Sequence, residues 1–199
     1  KFIPDAQVTI RAHGQCRFIA SSATECRLVQ HNGDGLIVGG RQFRIPMAGV
    51  SITNAGLAAN TLYYVFAKDD GTGAIALEAA LASVGRAAHT NGVMCKAGDP
   101  TRTLVGMFHT TATSGFISFG VNKWVASWFN RIETAMAETP VNSPTTSTAY
   151  VKLTNGLYPL LWAGDAADVA ATGIVTTSVA AMGAYALLTV NGGGYAGGH

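Results

Sequence analysis

A two-residue alternation of apolar and polar side chains, interrupted repeatedly by glycine, is the feature that most constrains the fold of this chain. In 7–12 the apolar residues occupy every second position, and the pattern returns over 16–20 and 26–28. A period of two is that of a β-strand with one buried face. Glycine accounts for 24 of the 199 residues, and tight turns are expected where it separates such segments. Short strands joined by glycine-rich turns predict a β-sandwich or barrel, not a βαβ fold.

A first hairpin is predicted around the dipeptide Gly39-Gly40, which suits a two-residue turn. Apolar residues at 36–38 precede the turn and the strand 41–45 follows it. Pairing across the turn places Leu36 opposite Phe43. Pro46 then ends the second strand, because proline has no N–H to donate to a strand ladder.

A second hairpin is predicted around Asp70-Gly71, another favoured turn dipeptide. Its first strand, 62–67, is rich in β-branched and aromatic residues. An exposed apolar face on such a ribbon requires a second sheet to cover it. Counting outward from the turn predicts that six apolar side chains share one face, with Leu62 opposite Ala79, Tyr64 opposite Leu77 and Phe66 opposite Ile75.

Further short strands are predicted along the rest of the chain. One is expected over 103–109, after a turn at 98–100. From Trp124 the apolar residues fit either a helical stripe, with Trp124 and Trp128 four positions apart, or a long strand. We expect a strand to about Asn130, followed by a short helical turn through Ala137. Residues 138–149 are rich in Pro, Ser and Thr and predict a linker. Beyond the linker, strands are predicted over 150–153, 158–162, 173–175 and 185–190.

Together these patterns predict an all-β fold: an antiparallel β-sandwich of jelly-roll-like type, with a second, smaller β module at the C-terminus. We expect the sandwich module over 1–137, the linker over 138–149, and the second module, incomplete, over 150–199. The glycine-rich end, 192–199, is typical of a linker. We therefore expect this sequence to be a fragment of a longer polypeptide.

Charged residues are scarce in this chain. They make up 12% of it, against about 25% in an average soluble domain. A surface poor in charge resists association badly, so we expect other copies of the chain to cover part of it in a closed homo-oligomer. The net charge is +2, and the Lys and Arg residues are scattered, which argues against a nucleic-acid or membrane-surface partner. No run of 18 apolar residues is present that could span a bilayer.

Four potential metal ligands fall within nineteen residues of sequence: His13, Cys16, Cys26 and His31. Their spacing matches no standard zinc pattern. Strand alternation also directs the thiols of Cys16 and Cys26 to the core, where free cysteine behaves as a small hydrophobic residue. With Cys95 the cysteines total three, an odd number that argues against a disulfide framework. We predict buried thiols, no metal site and no cofactor.

No nucleophile motif adjoins a histidine. Ser127 lies in a packing segment, 124–128, between two tryptophans. The segment 32–35 lacks the spacing and the closing Glu of an EF-hand calcium loop. We therefore predict no enzymatic activity and no catalytic residues. The histidines are His13, His31, His89, His109 and His199.

The carboxylates are few, and two pairs of them lie close together in the sequence. Asp165 and Asp168 follow Trp162, a combination that could serve a sugar-cleaving or sugar-binding site. A polar surface loop after a buried tryptophan is the more common arrangement, and we favour it. Asp69 and Asp70 have the ordinary structural role of turn residues.

Several short motifs follow one another between residues 27 and 131. They are Arg27-Leu28, Asn32-Gly33, Ile45-Pro46, Ala48-Gly49-Val50, Asn54-Ala55-Gly56-Leu57, Thr61-Leu62-Tyr63-Tyr64-Val65, Leu77-Glu78, Gly92-Val93, Lys96-Ala97-Gly98-Asp99, Thr101-Arg102-Thr103-Leu104-Val105-Gly106-Met107 and Ala126-Ser127-Trp128-Phe129-Asn130-Arg131. In this order they resemble a module of tailed-bacteriophage virion proteins of the tail-fibre, minor-tail and head-fibre kinds. The match covers about half of the chain.

The resemblance implies a β-sandwich that assembles in the particle as an oligomer, often a trimer, and it implies no catalytic residues. It would place the chain in the virion, with other virion proteins as partners and a host-surface polysaccharide as a candidate ligand of its loop tips. Two other functions stay open. One is a carbohydrate-binding module without a virion role, in which exposed aromatic rings stack on sugars. The other is a polysaccharide-cleaving tailspike fragment, which needs two carboxylates roughly 5–10 Å apart.

Overall fold

A computed structural model describes residues 12–89, 91–116, 122–132, 158–163, 188–190 and 193–195. The chain divides into two compact units, Lys1–Ala163 and Gly164–His199. Among the described residues the one helical element is the 3-10 turn Ala82–Val84, and no helix there is long and apolar enough to cross a membrane. The strands are β1 (Cys16–Ala20), β2 (Glu25–Gln30), β3 (Gly35–Val38), β4 (Arg41–Arg44), β5 (Val50–Thr53), β6 (Leu62–Asp69), β7 (Ile75–Leu81), β8 (Arg86–Ala88), β9 (Met94–Lys96), β10 (Asp99–His109), β11 (Asn122–Lys123), β12 (Val125–Ser127), β13 (Tyr158–Pro159), β14 (Leu188–Val190) and β15 (Gly193–Tyr195).

One layer of the first unit is built from two small antiparallel groups of strands. β1, β2 and β5 form a sheet in the order β1-β2-β5, and β3 pairs with β4 as a hairpin. The hairpin has the predicted register, with Leu36 opposite Phe43. Gly39 and Gly40 have φ values of 56° and 76°, the left-handed region that this two-residue turn requires and that glycine adopts without strain.

The other layer is a six-stranded antiparallel sheet in the order β7-β6-β10-β9-β8, with β12 paired to the second half of β10. The 11-residue strand β10 contains the strand predicted over 103–109. A bulge between Leu104 and Gly106 interrupts its pairing with β6. Because of the bulge, Leu104 and Met107 pack in one cluster while Val105 and Phe108 pack in the other.

The two layers pack face to face as a sandwich, and they also meet along their edges. The Phe18 N–H donates to Ser127 Oγ at 2.9 Å, which joins β1 to β12, and β5 lies beside β7. Gly106 permits the close approach, because a Cβ at this position would overlap the Phe18 ring. The all-β, antiparallel sandwich predicted from the sequence is confirmed.

The core of the sandwich lies between the layers. We call the side of the six-stranded sheet that contacts this core the inner face, and the opposite side the outer face. Side chains from both layers interlock there, as expected for strands that alternate apolar and polar residues. The fully buried members include Cys16, Phe18, Cys26, Leu28, Leu36, Ile45, Val65, Val105, Phe108 and Phe116.

The register predicted for the second hairpin is wrong by three residues. Tyr64 lies opposite Ala80, and Phe66 lies opposite Glu78. A shift by an odd number of residues exchanges the faces of a strand, so the six apolar side chains expected on one face are divided between two. On the inner face are Ile75, Leu77 and Ala79; on the outer face are Leu62, Tyr64 and Phe66.

The error arises from the loop between β6 and β7, which is longer than a two-residue turn. The Asp69 carboxylate accepts hydrogen bonds from the N–H groups of Gly71 and Gly73, at 2.9 and 3.3 Å. The Asp70 carboxylate accepts from the N–H groups of Thr72 and Ala74, at 2.8 and 3.2 Å. These bonds stabilise a wider loop that the Asp-Gly dipeptide alone does not reveal.

The strand predicted from Trp124 to about Asn130 is shorter in the structure. β12 ends at Ser127, whose hydroxyl donates to the carbonyl of Phe129 at 2.6 Å. Asn130 follows with a φ of 49°, a conformation that ends a strand. The helical turn predicted through Ala137 lies outside the described residues.

Several predicted segments also lie outside the described residues: the strand residues 7–11, the linker 138–149, and the strands 150–153 and 173–175. Within the predicted strands 158–162 and 185–190, the structure describes β13 and β14. β14 pairs with β15 as an antiparallel hairpin in the second unit. The division between the units falls after Ala163, so β13 belongs with the first unit, whereas the sequence placed it in the second module.

Candidate binding surface

The outer face of the six-stranded sheet carries a second apolar cluster, separate from the sandwich core. Phe66, Leu104 and Met107 are buried there under the side chain of Trp162. Phe66 belongs to β6, and Leu104 and Met107 belong to β10, so the centre of the sheet supplies the floor of the cluster. Partly buried apolar side chains surround it: Leu62, Tyr64, Ala80, Met94, Ala126, Trp128 and Leu160.

A short segment, Tyr158–Ala163, which we call the strap, covers this cluster. It pairs with β11 in parallel, with Asn122 opposite Tyr158. Its Trp162 is only 4% exposed, and the indole Nε1–H donates to the carbonyl of Ser127 at 2.8 Å. The Trp162 ring stacks on Tyr64, with centroids 5.9 Å apart, and meets Trp128 edge to face at 4.8 Å. The strap is therefore held by one buried ring and a short strand pairing.

Two arginines lie against the tryptophan pair. The guanidinium carbon of Arg86 is 4.9 Å from the ring centroid of Trp128 and 5.2 Å from that of Trp162. The guanidinium carbon of Arg131 is 4.9 and 5.6 Å from the same two centroids. These distances are those of cation–π contacts. Indole faces covered by guanidinium groups offer less area for a sugar ring to stack on.

At its other end, the outer face is charged. The Glu78 carboxylate on β7 is 2.6 Å from Lys96 Nζ, 3.0 Å from Arg102 Nε and 3.6 Å from Lys68 Nζ. Burial by itself would raise the pKa of Glu78, but the hydrogen bonds from Lys96 and Arg102 outweigh it and hold that pKa below its ordinary value. One carboxylate thus stabilises three cations on neighbouring strands.

Large apolar side chains remain exposed at three places on the first unit. Ile132 directly follows Arg131, whose guanidinium lies near the Trp162 ring, and Leu161 belongs to the strap itself. One more ends β7, one lies in the 3-10 turn that follows, and one lies in the loop after β4. The five are Met47, Leu81, Val84, Ile132 and Leu161, with exposed fractions of 91%, 47%, 43%, 64% and 45%.

The four potential metal ligands lie in the layer that covers the inner face. Cys16 and Cys26 are completely buried, as predicted, and burial raises the pKa of each thiol to about 12. His13 Nδ1 accepts a hydrogen bond from the Ile37 N–H at 3.0 Å. His31 Nε2 lies 3.2 Å from Arg17 Nη2. Both imidazoles thus already have protein partners.

The remaining candidates also have structural surroundings. Ser127 accepts from the Phe18 N–H and donates to a backbone carbonyl, so its hydroxyl joins strands. Cys95 is buried, and burial raises its pKa. His109 meets Trp124 edge to face at 5.2 Å, and its Nδ1 is buried without a hydrogen-bond partner in the described residues. His199, Asp165 and Asp168 lie outside the described residues.

Sequence reasoning did not find the contribution of Arg86 and Arg131 to this surface. They are 45 residues apart and no shared motif links them, and only the fold brings them to the same two rings. For Arg131 the sequence does contain a signal, because this basic residue follows Trp128 by three positions. No comparable signal exists for Arg86.

The described residues contain no group of three His, Cys, Asp or Glu side chains placed to hold a metal ion. What they do contain is an apolar surface with a strap, an arginine–tryptophan cluster and exposed aliphatic side chains. Such a surface can bind another chain. Comparisons with protein-family models, curated proteins and solved structures give no match to this chain.

Proposed function

We propose that this chain is a structural component of a bacteriophage particle: a fibre, spike or decoration protein that assembles as a homo-oligomer, a trimer in the simplest case. The observation that carries the proposal is the combination of a charge-poor β-sandwich with exposed aliphatic side chains. Other virion proteins would be its neighbours, and its loop tips could contact host-surface glycan.

The argument for assembly is one of surface chemistry. The chain has 13 Lys and Arg and 11 Asp and Glu residues among 199, so little charge is available to keep separate copies apart. Leu161 in the strap and Ile132 next to Arg131 remain substantially exposed, as do Leu81 at the end of β7 and Val84 in the 3-10 turn after it. Contiguous exposed apolar patches are typical of surfaces that bind a partner, and the proposal is that these side chains lie in such a surface.

The nature of the particle is inferred from the resemblance of residues 27–131 to phage virion modules. The fold is compatible with that resemblance, because its motifs fall in strands and turns of one sandwich. The Lys96-Ala97-Gly98-Asp99 motif, for example, forms the turn from β9 to β10. The absence of enzymatic activity stays part of the proposal.

A carbohydrate-binding module without a virion role is the alternative. It would rely on exposed aromatic faces, and Trp128 and Trp162 are the aromatic rings that stand closest together on the outer face. Their contacts with Arg86 and Arg131, and the burial of Trp162, count against stacking on a sugar. Sugar binding at the loop tips remains compatible with the virion proposal.

Two measurements test the proposal. Multi-angle light scattering of the purified chain should give a multiple of its 20.5 kDa mass at micromolar concentration. Replacing Ile132 and Leu161 together with Ser should shift that mass toward the monomer. Met47→Ser removes an exposed apolar side chain from the loop after β4 and is the matched control, so it should leave the mass of the oligomer unchanged. Mass spectrometry of purified particles should then detect the chain. A stable wild-type monomer, or a particle without the chain, would overturn the proposal.

A further inference from the structure

The strap makes its contacts with residues that lie far from it along the sequence. Its backbone pairs with β11, and Trp162 packs against Tyr64 and Trp128. All of these partners precede residue 133, whereas the strap begins at Tyr158. The surface on which the strap docks is therefore formed by residues that are not adjacent to the strap in sequence.

The connection between the surface and the strap spans residues 133–157, which are 25 residues. Its central part, 138–149, is the Pro/Ser/Thr-rich segment. A chain of this length reaches about 80 Å when extended and about 30 Å as a root-mean-square distance for a flexible coil. A domain of this size has a radius of gyration of about 15 Å. The connection is thus long enough to reach either the strap's own outer face or that of an adjacent copy.

Docking on an adjacent copy preserves every contact of the strap, because each copy carries the same surface. Domain exchange of this kind is a low-cost route to closed oligomers. In an oligomer, a neighbour's surface that lies within reach of the connection competes with the chain's own surface for the strap. Docking on the chain's own outer face and docking on a neighbour's outer face then differ in the further apolar surface that the exchange buries.

The exposed residues beside the strap favour exchange. With the strap in place, Leu161 is 45% exposed and Ile132 is 64% exposed. Ile132 is the last residue before the connection and Leu161 belongs to the strap, so an interface formed around an exchanged strap would adjoin both. Burial of these two aliphatic side chains by a neighbouring copy would add apolar burial that docking within one chain does not provide.

We infer that in the assembled protein the strap of one chain docks on the outer face of a second copy, in a head-to-tail exchange that closes the oligomer. This inference rests on the proposed homo-oligomer and adds to it the surface and the segment that hold the copies together. The partner is another copy of this chain, recognised by the Trp162 ring and by parallel pairing with β11.

Disulfide trapping between two differently tagged chains tests the exchange. One chain carries Asn122→Cys and the other carries Tyr158→Cys, positions that face each other in the parallel pairing. Opposite positions on paired strands lie within the range of distances that a disulfide can span. When the two chains are co-expressed and oxidised, a heterodimer on a non-reducing gel requires the strap of one chain to reach the β11 of the other. The pair Lys123→Cys and Pro159→Cys repeats the test should one variant fail to fold.

The matched control combines Tyr158→Cys with Thr72→Cys, which places the second thiol in the exposed loop between β6 and β7. Exchange predicts the heterodimer with Asn122→Cys and none with Thr72→Cys. A third chain carries both Asn122→Cys and Tyr158→Cys. An oligomer in which this chain forms only the intrachain disulfide would overturn exchange and leave the proposed assembly standing. A monomer by light scattering would overturn both. Failure of both cysteine pairs to form any disulfide would also overturn exchange, since the strap would not lie on β11.

Discussion

The inner and outer faces of the same six-stranded sheet are covered in different ways. A second layer of five strands covers the inner face and is joined to it along the edges, through the Phe18–Ser127 hydrogen bond and the contact of β5 with β7. The strap and a group of charged side chains cover the outer face. The inner cover is an integral part of the fold, whereas the outer cover can be removed without unpairing any strand of the six. The proposed assembly would therefore use the outer face.

Packing on the inner face has little freedom to relax. The Phe108 ring is fully buried and contacts the rings of Phe18, Tyr63 and Phe116, with centroids 6.5, 5.5 and 4.6 Å away. Phe18 belongs to β1 in one layer, Tyr63 belongs to β6 in the other, and Phe116 forms an isolated bridge with Thr110. Removal of the Phe108 ring would therefore leave a cavity that a single strand cannot close by moving.

The largest expected effect is that of Phe108→Ala. The free energy of unfolding should fall by about 3–5 kcal/mol, because both the transfer free energy and the cavity contribute. Urea or thermal unfolding followed by circular dichroism measures the change. Phe108→Leu retains much of the volume and should cost clearly less. A loss below about 1 kcal/mol for the Ala variant would contradict the description of a tightly packed inner face.

Trp162→Ala tests the outer face in the same way, and the expected loss is smaller. Here the strap can release from the sheet, so the cost is limited to about the transfer free energy of the buried ring, roughly 3 kcal/mol or less, with no trapped cavity. Binding of a hydrophobic dye should increase while the β-sheet circular dichroism persists, because Phe66, Leu104 and Met107 become exposed. Leu161→Ala, on the exposed side of the strap, should change stability by no more than about 0.5 kcal/mol. Equal losses for Trp162→Ala and Phe108→Ala would remove the distinction between the faces.

The hairpins show which parts of this arrangement the sequence could predict. The 36–45 hairpin was predicted in its correct register because Gly39-Gly40 forms the whole turn. The 62–81 hairpin was not, because the Asp69 and Asp70 carboxylates bind loop N–H groups and lengthen the loop. Alternation alone cannot distinguish these cases. Because the predicted register was wrong by three residues, the prediction placed the apolar side chains of β6 on the inner face, whereas they lie on the outer one.

The division of the sheet into two buried faces was also beyond a period-two pattern. Consecutive residues of β10 point to opposite faces, and both faces are covered, so the run from Thr103 to Phe108 is buried throughout. The burial of Cys16 and Cys26 was predictable, because those residues follow simple alternation. The arginine–tryptophan cluster was not predictable, because it depends on contacts between positions 86, 128, 131 and 162 that only the folded sheet creates.

Glu78→Gln sharpens the comparison at the charged end of the outer face. The substitution leaves Lys68, Lys96 and Arg102 without their shared carboxylate, and we expect a loss of about 1 kcal/mol that shrinks in high salt. Because the pKa of Glu78 is lowered in the folded state, its contribution is present above the ordinary value of 4.5 and is lost as the pH falls through the lower folded value. Glu25→Gln, which removes a carboxylate paired with Arg27 alone, is the matched control and should have a smaller effect. A salt-independent loss would show that packing, and not charge, dominates at Glu78.

The smallest expected effect concerns His13, which titrates in the cover of the inner face. Its Nδ1 accepts from the Ile37 N–H, its ring meets Phe129 edge to face, and burial lowers its pKa from the ordinary value of 6.5. Above pH 6.5 the imidazole is neutral in both states and its contribution is complete. As the pH falls below 6.5 the unfolded chain takes up the proton first, so stability is lost until the pH passes the lowered pKa of the folded state.

His13→Gln keeps a hydrogen-bond acceptor without titrating, so its unfolding free energy should fall less than that of the wild type between pH 7 and 5. Since Glu78 titrates only below 4.5, mild acid should weaken the inner cover while leaving the outer charge cluster unchanged. Identical pH profiles for the wild type and His13→Gln would show that protonation of His13 has no part in that weakening.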